Sequence, residues 1–261
     1  MGVRIAVITP YGTEPPEQLR QCHESVLAQA GGTRFEASHF LVADGHARPE
    51  VDGWNVRHVR LPDALRDHGN TPRSIGSLLA DSEGFDFIAY LDAGNWYLPG
   101  HLENLLDAFE ETGSPVCCSL SALHRIDGSL LPLEEKPPTP DSHARSNCLL
   151  MHRRGFSVCP TWHRLPRPLG PMGERVFYRA LQNAGLAVSL SLRRTVAIRT
   201  RLAKHYTLAG ETPPPGAVTH DGLAESLKYL YSAIGVTESV EALGFWPGTD
   251  SDNSPGARSG Q

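Results

Sequence analysis

The chain has 261 residues, 40% of them hydrophobic, with a formal net charge of −5. That is enough apolar material for a full core and suits one large domain with an appendage. Acidic and basic residues are mixed along its length, so no basic stripe points to a nucleic-acid partner. No apolar run approaches a membrane span. The start, MGVRIAVITP, has neither the longer apolar core nor the small-residue cleavage site of a secretion signal. Five cysteines (Cys22, Cys117, Cys118, Cys148 and Cys159), an odd number without a C-x-x-C pair, read as buried structural thiols of a reduced cytoplasmic protein.

Val3 to Ile8 is a short β-branched run that stops at Thr9-Pro10 and reads as a buried parallel strand. Gln18 to Ala30 carries Leu19, Cys22, Val26 and Leu27 at helical spacing and stops at Gly31-Gly32. Phe35 to Val42 is a second strand, broken at Asp44-Gly45, and Val56 to Leu61 a third. The spacing predicts a helix over Thr71 to Asp81, with Ile75, Leu78 and Leu79 facing inward. Phe87 to Leu91 is apolar throughout, as expected of a central strand covered on both faces, and an amphipathic helix follows over His101 to Glu111.

The second half is less regular. Strands are expected at Val116 to Leu123 and Asn147 to His152, with a Pro- and Glu-bearing loop from Gly128 to Ser142 between them. A helix over Glu174 to Ala184 follows the turn GPMG, and strands come next at Val188 to Leu192 and Thr195 to Ile198. Gly210 to Ala217 (GETPPPGA) breaks the chain, a helix runs from Gly222 to about Ile234, and the polar end from Gly248 reads as disordered.

This alternation implies an α/β fold, a mostly parallel central sheet with helices on both faces. Ligands of such sheets bind at the carboxyl ends of the strands. That places Thr9-Pro10-Tyr11, Asp44-Gly45 and Asp92, which follow three successive strands, on one rim.

The motifs at those ends come in a telling order. Thr9-Pro10 closes the first strand, and the next helix contains Ser25-Val26-Leu27-Ala28-Gln29. Val42-Ala43-Asp44-Gly45 closes the second strand, Gly69-Asn70-Thr71-Pro72-Arg73 opens a helix, and Leu91-Asp92-Ala93-Gly94 closes the central strand ahead of Asn95-Trp96-Tyr97-Leu98-Pro99. In order and spacing, from about Val3 to Gly210, this resembles the family 2 glycosyltransferases, particularly small bacterial members. The resemblance implies a GT-A (Rossmann-like) fold with a smaller mixed acceptor-side region, a nucleoside-diphosphate-sugar donor and inversion at the anomeric carbon. It also implies a glycosyltransferase domain over 1–210 (nucleotide-binding half about 1–112, acceptor half about 113–210). A helical extension over 211–246 and a disordered tail over 247–261 complete the expected organisation.

Such transfer requires the nucleotide to be held, the departing diphosphate to be neutralised and the acceptor hydroxyl to lose a proton. Thr9, Pro10, Tyr11 and Asp44 are the expected nucleotide contacts; a strand-end carboxylate accepts bonds from base or ribose, and an aromatic stacks on the base. The family often has two acidic residues at the second strand end, and Ala43 stands at the first of those positions. In the D-x-D element of the family an acidic pair holds Mg²⁺ or Mn²⁺ against the phosphates. Here it reads Asp92-Ala93-Gly94, so the second carboxylate is missing. Asn95, and His205 in Lys204-His205-Tyr206, are the expected substitutes as metal ligands beside Asp92, and Arg73 could offset diphosphate charge with a bidentate fork. For the base, the family places acids at a helix start in the second half; here Gly173 takes the first such position and Glu174 is the candidate. Trp162 could be a platform for a sugar or a packed core residue. The other histidines have no metal-site spacing, and His143, His152 and His163 read as surface or structural.

The leading expectation is thus an inverting, metal-assisted glycosyltransferase, with a uridine diphosphate sugar favoured as donor. It would be cytoplasmic and could sit peripherally at the inner membrane face. A degenerate, nucleotide-sugar-binding relative without turnover is the alternative that Gly94 and Ala43 motivate. A sugar-phosphate nucleotidyltransferase ranks third, because Thr9 to Pro15 lacks the Gly-rich, Arg/Lys-bearing loop of that class.

Overall fold

The computed structural model describes residues 2–29, 32–134, 137–138, 143–219 and 222–248. Parts of the expected 128–142 loop, the last residue of the expected helix at Ala30, and residues 249–261 of the expected tail lie outside the described residues. One eight-stranded sheet organises the chain, in the order β3-β2-β1-β4-β7-β6-β8-β5. The strands are β1 (Val3–Tyr11), β2 (Phe35–Ala43), β3 (Arg57–Arg60), β4 (Phe87–Tyr90), β5 (Trp96–Tyr97), β6 (Val116–His124), β7 (Leu149–His152) and β8 (Val188–Arg199). β1 pairs in parallel with β2 and β4, β2 with β3, and β6 with β8, while β7 and β5 run antiparallel to their neighbours.

Two consequences of this order position the site. From β1 the chain moves one way to β2 and β3, then α2 (Asn70–Ser82) carries it back to β4 on the other side of β1. The gap at the carboxyl ends of β1 and β4 is therefore a topological switch point, the place where such sheets bind ligands. Because β7 is antiparallel, β6 and β8 again point the same way as β4. Their carboxyl ends, and the start of β7, thus fall on the same rim.

Several boundaries differ from the sequence expectation, each for a physical reason. β1 runs through Pro10 to Tyr11 instead of stopping at Ile8. The carbonyl of Ile8 accepts the N–H of Leu91 on the β4 side, so the missing N–H of Pro10 also faces that side, where β4 has ended. Proline costs a strand nothing where no partner waits for its donor. Helix α1 (Pro16–Leu27) begins two residues before the predicted start, because proline suits a first helical turn.

Helix α2 is rotated from the predicted facing. It buries Ser74, Gly76, Ser77 and Ala80, while Leu78 is 47% exposed. A Cβ on Gly76 would stand 2.5 Å from Ile8 Cγ2, so the small-residue face lets α2 press against β1 more closely than the leucine face could.

The two strands expected at 188–198 are one, β8, with Leu192 at φ +56 and a shifted register against β6. The feature that reads as a break at Leu192 to Arg194 is an irregularity inside a continuous strand. The single helix expected over 222–234 is two, α7 (Leu223–Leu230) and α8 (Ala233–Leu243), because Ser232 caps a new start by accepting the N–H of Gly235 at 3.0 Å. Short β5 and the helices α4 (Thr161–Arg164) and α6 (Ala203–Leu208) have no counterpart in the sequence reading.

The main core runs along the sheet from Ile5 and Val7 through Ile88 and Tyr90 to Leu150 and Val196, covered by α3 (His101–Thr112) and α5 (Gly173–Asn183) among others. A smaller cluster of Tyr11, Leu19, Leu41 and Val51 underlies the rim at the ends of β1 and β2, and α7 and α8 share a third with Leu169 and Val176. All five cysteine side chains are buried. No helix among the described residues is long and apolar enough to cross a membrane.

Candidate active site

Three cavities lie side by side along the carboxyl rim. The first, about 670 Å³, opens at the switch point between Pro10, Asp44, Arg73 and Asp92. The second, about 230 Å³, shares Asp92 with it and is lined by Asn95, Asn147, Glu174, Arg199 and His205. The third, about 480 Å³, shares Arg145, Glu174 and His205 with the second and extends toward Ser119, Lys204 and Leu223.

The wall of the first cavity hangs on Asp44. Its two carboxylate oxygens accept the N–H groups of Leu65 at 2.7 Å and Arg66 at 3.1 Å, folding the 62–69 loop over the strand end. Gly45, at φ +72, must be glycine there, since a Cβ would lie 2.2 Å from the nitrogen of Ala64. Arg66 and His68 both take left-handed backbone angles in this loop, a concentration of strain of the kind found at ligand clamps. Asp44 therefore shapes the cavity through backbone it fastens, in addition to lining it.

Two of the expected nucleotide contacts are placed differently. Thr9 is wholly buried on the opposite face of β1 from Pro10, where its Oγ1 meets His39 Nε2 at 2.9 Å; the two-residue alternation of a strand takes it out of the cavity. Tyr11 lines the cavity but is only 2% exposed. Its hydroxyl pairs with His58 Nε2 at 2.7 Å and accepts the N–H of Arg48 at 3.1 Å, so its ring is packed and does not offer a stacking face.

Asp92 is the hinge between the first and second cavities. Arg73, buried in α2, donates from Nη2 to Asp92 Oδ1, and Asn147 donates from Nδ2 to Asp92 Oδ2 at 2.9 Å. Burial alone would raise the pKa of Asp92; the Arg73 charge and the Asn147 bond outweigh it and hold the carboxyl below its ordinary range. Burial likewise works against the Arg73 cation, but the charges of Asp92 and Glu174 prevail and raise its pKa. Trp162 completes this corner from below. It is 1% exposed, stacked on Phe177 at 4.3 Å, with the Arg73 guanidinium 5.2 Å from its ring centre. It is a core tryptophan that supports Arg73, not a platform for a sugar.

Glu174 stands in the first turn of α5, where the helix dipole favours a carboxylate. Its Oε1 accepts both the N–H of Ser146 at 2.8 Å and the Ser146 hydroxyl at 2.6 Å. Among the described residues Oε2 accepts no hydrogen bond, and Glu174 lines both the second and the third cavity. One oxygen is thereby fixed by Ser146.

The residues present do not fit the divalent cation implied by the D-x-D resemblance. Mg²⁺ and Mn²⁺ want several anionic or neutral oxygens in a near-octahedral set. Both oxygens of Asp92 are occupied by Arg73 and Asn147, and Gly94 offers no side chain. Asn95 Oδ1 accepts the N–H of Arg199 at 2.9 Å, and His205 Nδ1 pairs with Thr200 Oγ1 at 2.7 Å. Among the described residues no group of three or more His, Cys, Asp or Glu side chains is placed to hold a metal.

The structure thus brings Pro10, Asp44, Arg73, Asp92, Asn95, Glu174 and His205 to one continuous rim and leaves Thr9 beneath it. His143 lines the third cavity, while His163 Nδ1 pairs with Ser74 Oγ at 2.8 Å and His152 stacks on Phe109. Ser146, Asn147 and Arg199 were missed by the sequence reading. The signal for Arg199 was available: it is a cation closing an apolar strand, and it becomes visible once β8 is known to run parallel to β6.

This architecture is that of the GT-A glycosyltransferases, a curled, mostly parallel sheet flanked by helices. Solved structures with a similar fold include TarS of S. aureus. TarS residues 1–349 in complex with UDP superposes with a TM-score of 0.57 at 13% identity, over 92% of this chain and 70% of that one. The same fragment in complex with UDP-GlcNAc gives 0.54 at 14%, again over 92% and 70%. The longer TarS chain gives 0.55 at 14%, over 90% of this chain and 45% of that one. No family model matches the sequence, and no curated protein is significantly similar to it.

Proposed function

We propose that the chain is a glycosyltransferase that moves a sugar from a nucleoside diphosphate sugar, with a uridine diphosphate sugar favoured, to an acceptor hydroxyl with inversion. The observation that carries this reading is the row of three cavities with Asp92 at the first junction and Glu174 at the second. The nucleoside enters the first cavity, the diphosphate lies across Asp92 and the second, and the acceptor comes from the third. The complexes of TarS with UDP and with UDP-GlcNAc, on the same fold, support a nucleotide-sugar donor.

In the reaction the acceptor oxygen attacks the anomeric carbon from the face opposite the diphosphate. The new C–O bond forms as the bond from that carbon to the phosphate oxygen breaks, and its electron pair leaves with the nucleoside diphosphate. The acceptor proton passes to Glu174 Oε2, the carboxylate oxygen that Ser146 leaves open. A single displacement inverts the centre.

Calorimetric titration with UDP, GDP, ADP and CDP, followed by assay of the matching sugar donors for hydrolysis and transfer, tests the reading. UDP is expected to bind best and its sugars to turn over. Failure of every nucleoside diphosphate to bind would sink it. Gly94 favours one second reading, a protein that binds nucleotide sugars without turnover; it predicts tight UDP binding with no donor consumption above the protein-free background, in the wild type and in Glu174→Gln alike.

A further inference from the structure

The second cavity is lined by a cation, Arg199, that forms no ion pair among the described residues. Arg199 closes β8 and reaches back to the Asp92 turn, donating from Nη1 to the Gly94 carbonyl at 2.7 Å and from Nη2 to Gln21 Oε1 at 2.8 Å. Its guanidinium carbon lies 5.0 Å from the centre of the Trp96 ring, and its Nε is buried with no partner. All of these neighbours are neutral, and among the described residues no carboxylate pairs with it; burial pulls its pKa down, against the weaker pull of Asp127 and Glu17. A half-buried cation in that position has given up hydration without receiving a counter-charge, and an incoming anion would repay both.

Its place matters as much as its charge. The carbonyl that anchors Arg199 belongs to Gly94, the position where the second carboxylate of a D-x-D pair would stand. The backbone N–H of Arg199 is bonded to Asn95 Oδ1 at 2.9 Å, so β8 and the turn after β4 are fastened at two points. On the other flank of the same turn Arg73 holds Asp92. A guanidinium has five N–H donors in a planar fork that suits phosphate oxygens, and Arg199 spends two of them on the protein. Arg145 and Arg201 line the same cavity, which gives it more cations than acids.

We propose that Arg199, with Arg73 across the Asp92 turn, binds the diphosphate of the donor directly and takes the place of the divalent cation that a complete D-x-D pair would recruit. This rests on the nucleotide-sugar reading above and adds the way the leaving group is held. The loss of the second acid and the presence of Arg199 are then one change: a carboxylate at position 94 would have neutralised the guanidinium beside it, and glycine leaves the positive charge for the phosphates.

The test is calorimetric titration of the full chain with UDP and with UMP, each in excess EDTA and again with Mn²⁺. UDP is expected to bind in EDTA, with Mn²⁺ changing its Kd by less than about threefold, and Arg199→Met should weaken UDP about tenfold while moving UMP less than about threefold. Arg199→Lys keeps the charge and the stem but loses the fork, and should fall between wild type and Arg199→Met; it carries the test if the methionine variant lowers the melting temperature. UDP binding that appears only with Mn²⁺ overturns the guanidinium proposal and leaves the nucleotide-sugar reading standing. UDP binding under neither condition overturns both. Equal weakening of UDP and UMP by both Arg199 variants overturns the assignment of Arg199 to the diphosphate.

Discussion

Asn147 and Asp92 hold each other at two points: the backbone N–H of Asp92 donates to Asn147 Oδ1 at 2.8 Å, and Asn147 Nδ2 donates to Asp92 Oδ2 at 2.9 Å. The pair fixes both the end of β4 and the rotamer of its carboxylate, and Asn147 Oδ1 also receives the side-chain amide of Asn95 at 3.1 Å. Asn147→Ala leaves those donors without their acceptor in a buried place, and is expected to cost about 1–3 kcal/mol of stability in urea unfolding. A pH signature accompanies it. A depressed carboxyl such as Asp92 contributes stability that is present above 3.8 and is lost as the pH falls through its lower folded value. The variant reduces that depression, so its acid unfolding should begin at higher pH than in the wild type. An unchanged acid limb would mean that Asn147 does not act on the Asp92 charge.

Glu174 should separate binding from chemistry. Glu174→Gln keeps the shape and the acceptor oxygen for Ser146 but cannot take the proton, so transfer should fall by about 10²–10⁴-fold. UDP affinity should stay within about threefold, a change well under 1.4 kcal/mol. Ser146→Ala, which frees Oε1 from its hydroxyl, should show a smaller loss in kcat with little change in KM. Equal losses in UDP affinity and turnover for Glu174→Gln would assign the residue to the binding of the donor instead.

The first half of the chain was legible because its pairings are between neighbours in sequence. β1, α1, β2, α2 and β4 each carry their own period or apolar run, and the parallel switch point follows from the crossover rule. The second half was not legible in the same way, because β7 enters antiparallel between β4 and β6, and β8 pairs with β6 across some 70 residues. No local periodicity encodes such partners. The facing of α2 was misread for a related reason: Leu78 looks like core by composition, yet Gly76 and Ser77 decide the face because only small side chains permit the close approach to Ile8. At the site, Asp92, Arg73 and Glu174 could be read from motif order. Asn147 and Ser146 could not, since a polar pair ahead of the apolar run LLM has no marker until the fold sets it against Asp92 and Glu174.

His101 makes the fold acid-sensitive. It is fully buried, stacked on Tyr97 at 4.0 Å, with Nδ1 paired to Thr195 Oγ1 at 2.8 Å and Nε2 without a partner, and burial pulls its pKa from 6.5 to about 3. The unfolded chain therefore takes up a proton below 6.5 that the folded chain refuses until about 3, so stability must fall as the pH drops through that window. The slope is about 1.4 kcal/mol per pH unit for each such histidine, and buried His39 acts in the same direction. His101→Gln keeps a partner for Thr195 but does not titrate. Unfolding free energies measured in urea between roughly pH 6 and pH 5 should show a slope reduced by about that one-histidine amount.

Gly94 offers the sharpest reversal. It does not take a positive φ, and a Cβ there would meet nothing closer than Gln18 Oε1 at 3.6 Å, so the turn can accept a side chain without strain. Gly94→Asp restores the second carboxylate next to the Arg199 guanidinium, which already bonds to the carbonyl of residue 94. The new acid should pair with Arg199 and cancel its charge toward the phosphates, lowering UDP affinity in EDTA by about tenfold, the scale of one charged hydrogen bond. Mn²⁺ should then recover much of that loss, because Asp92 and the new carboxylate together offer the acidic pair the wild-type chain lacks. The expected result is thus an exchange, a metal-indifferent binder made metal-responsive by one substitution, read in the same calorimetric titrations. Unaltered UDP affinity in EDTA would show that Arg199 does not face the diphosphate, and affinity that rises in EDTA would show that the cavity's positive charge works against the ligand.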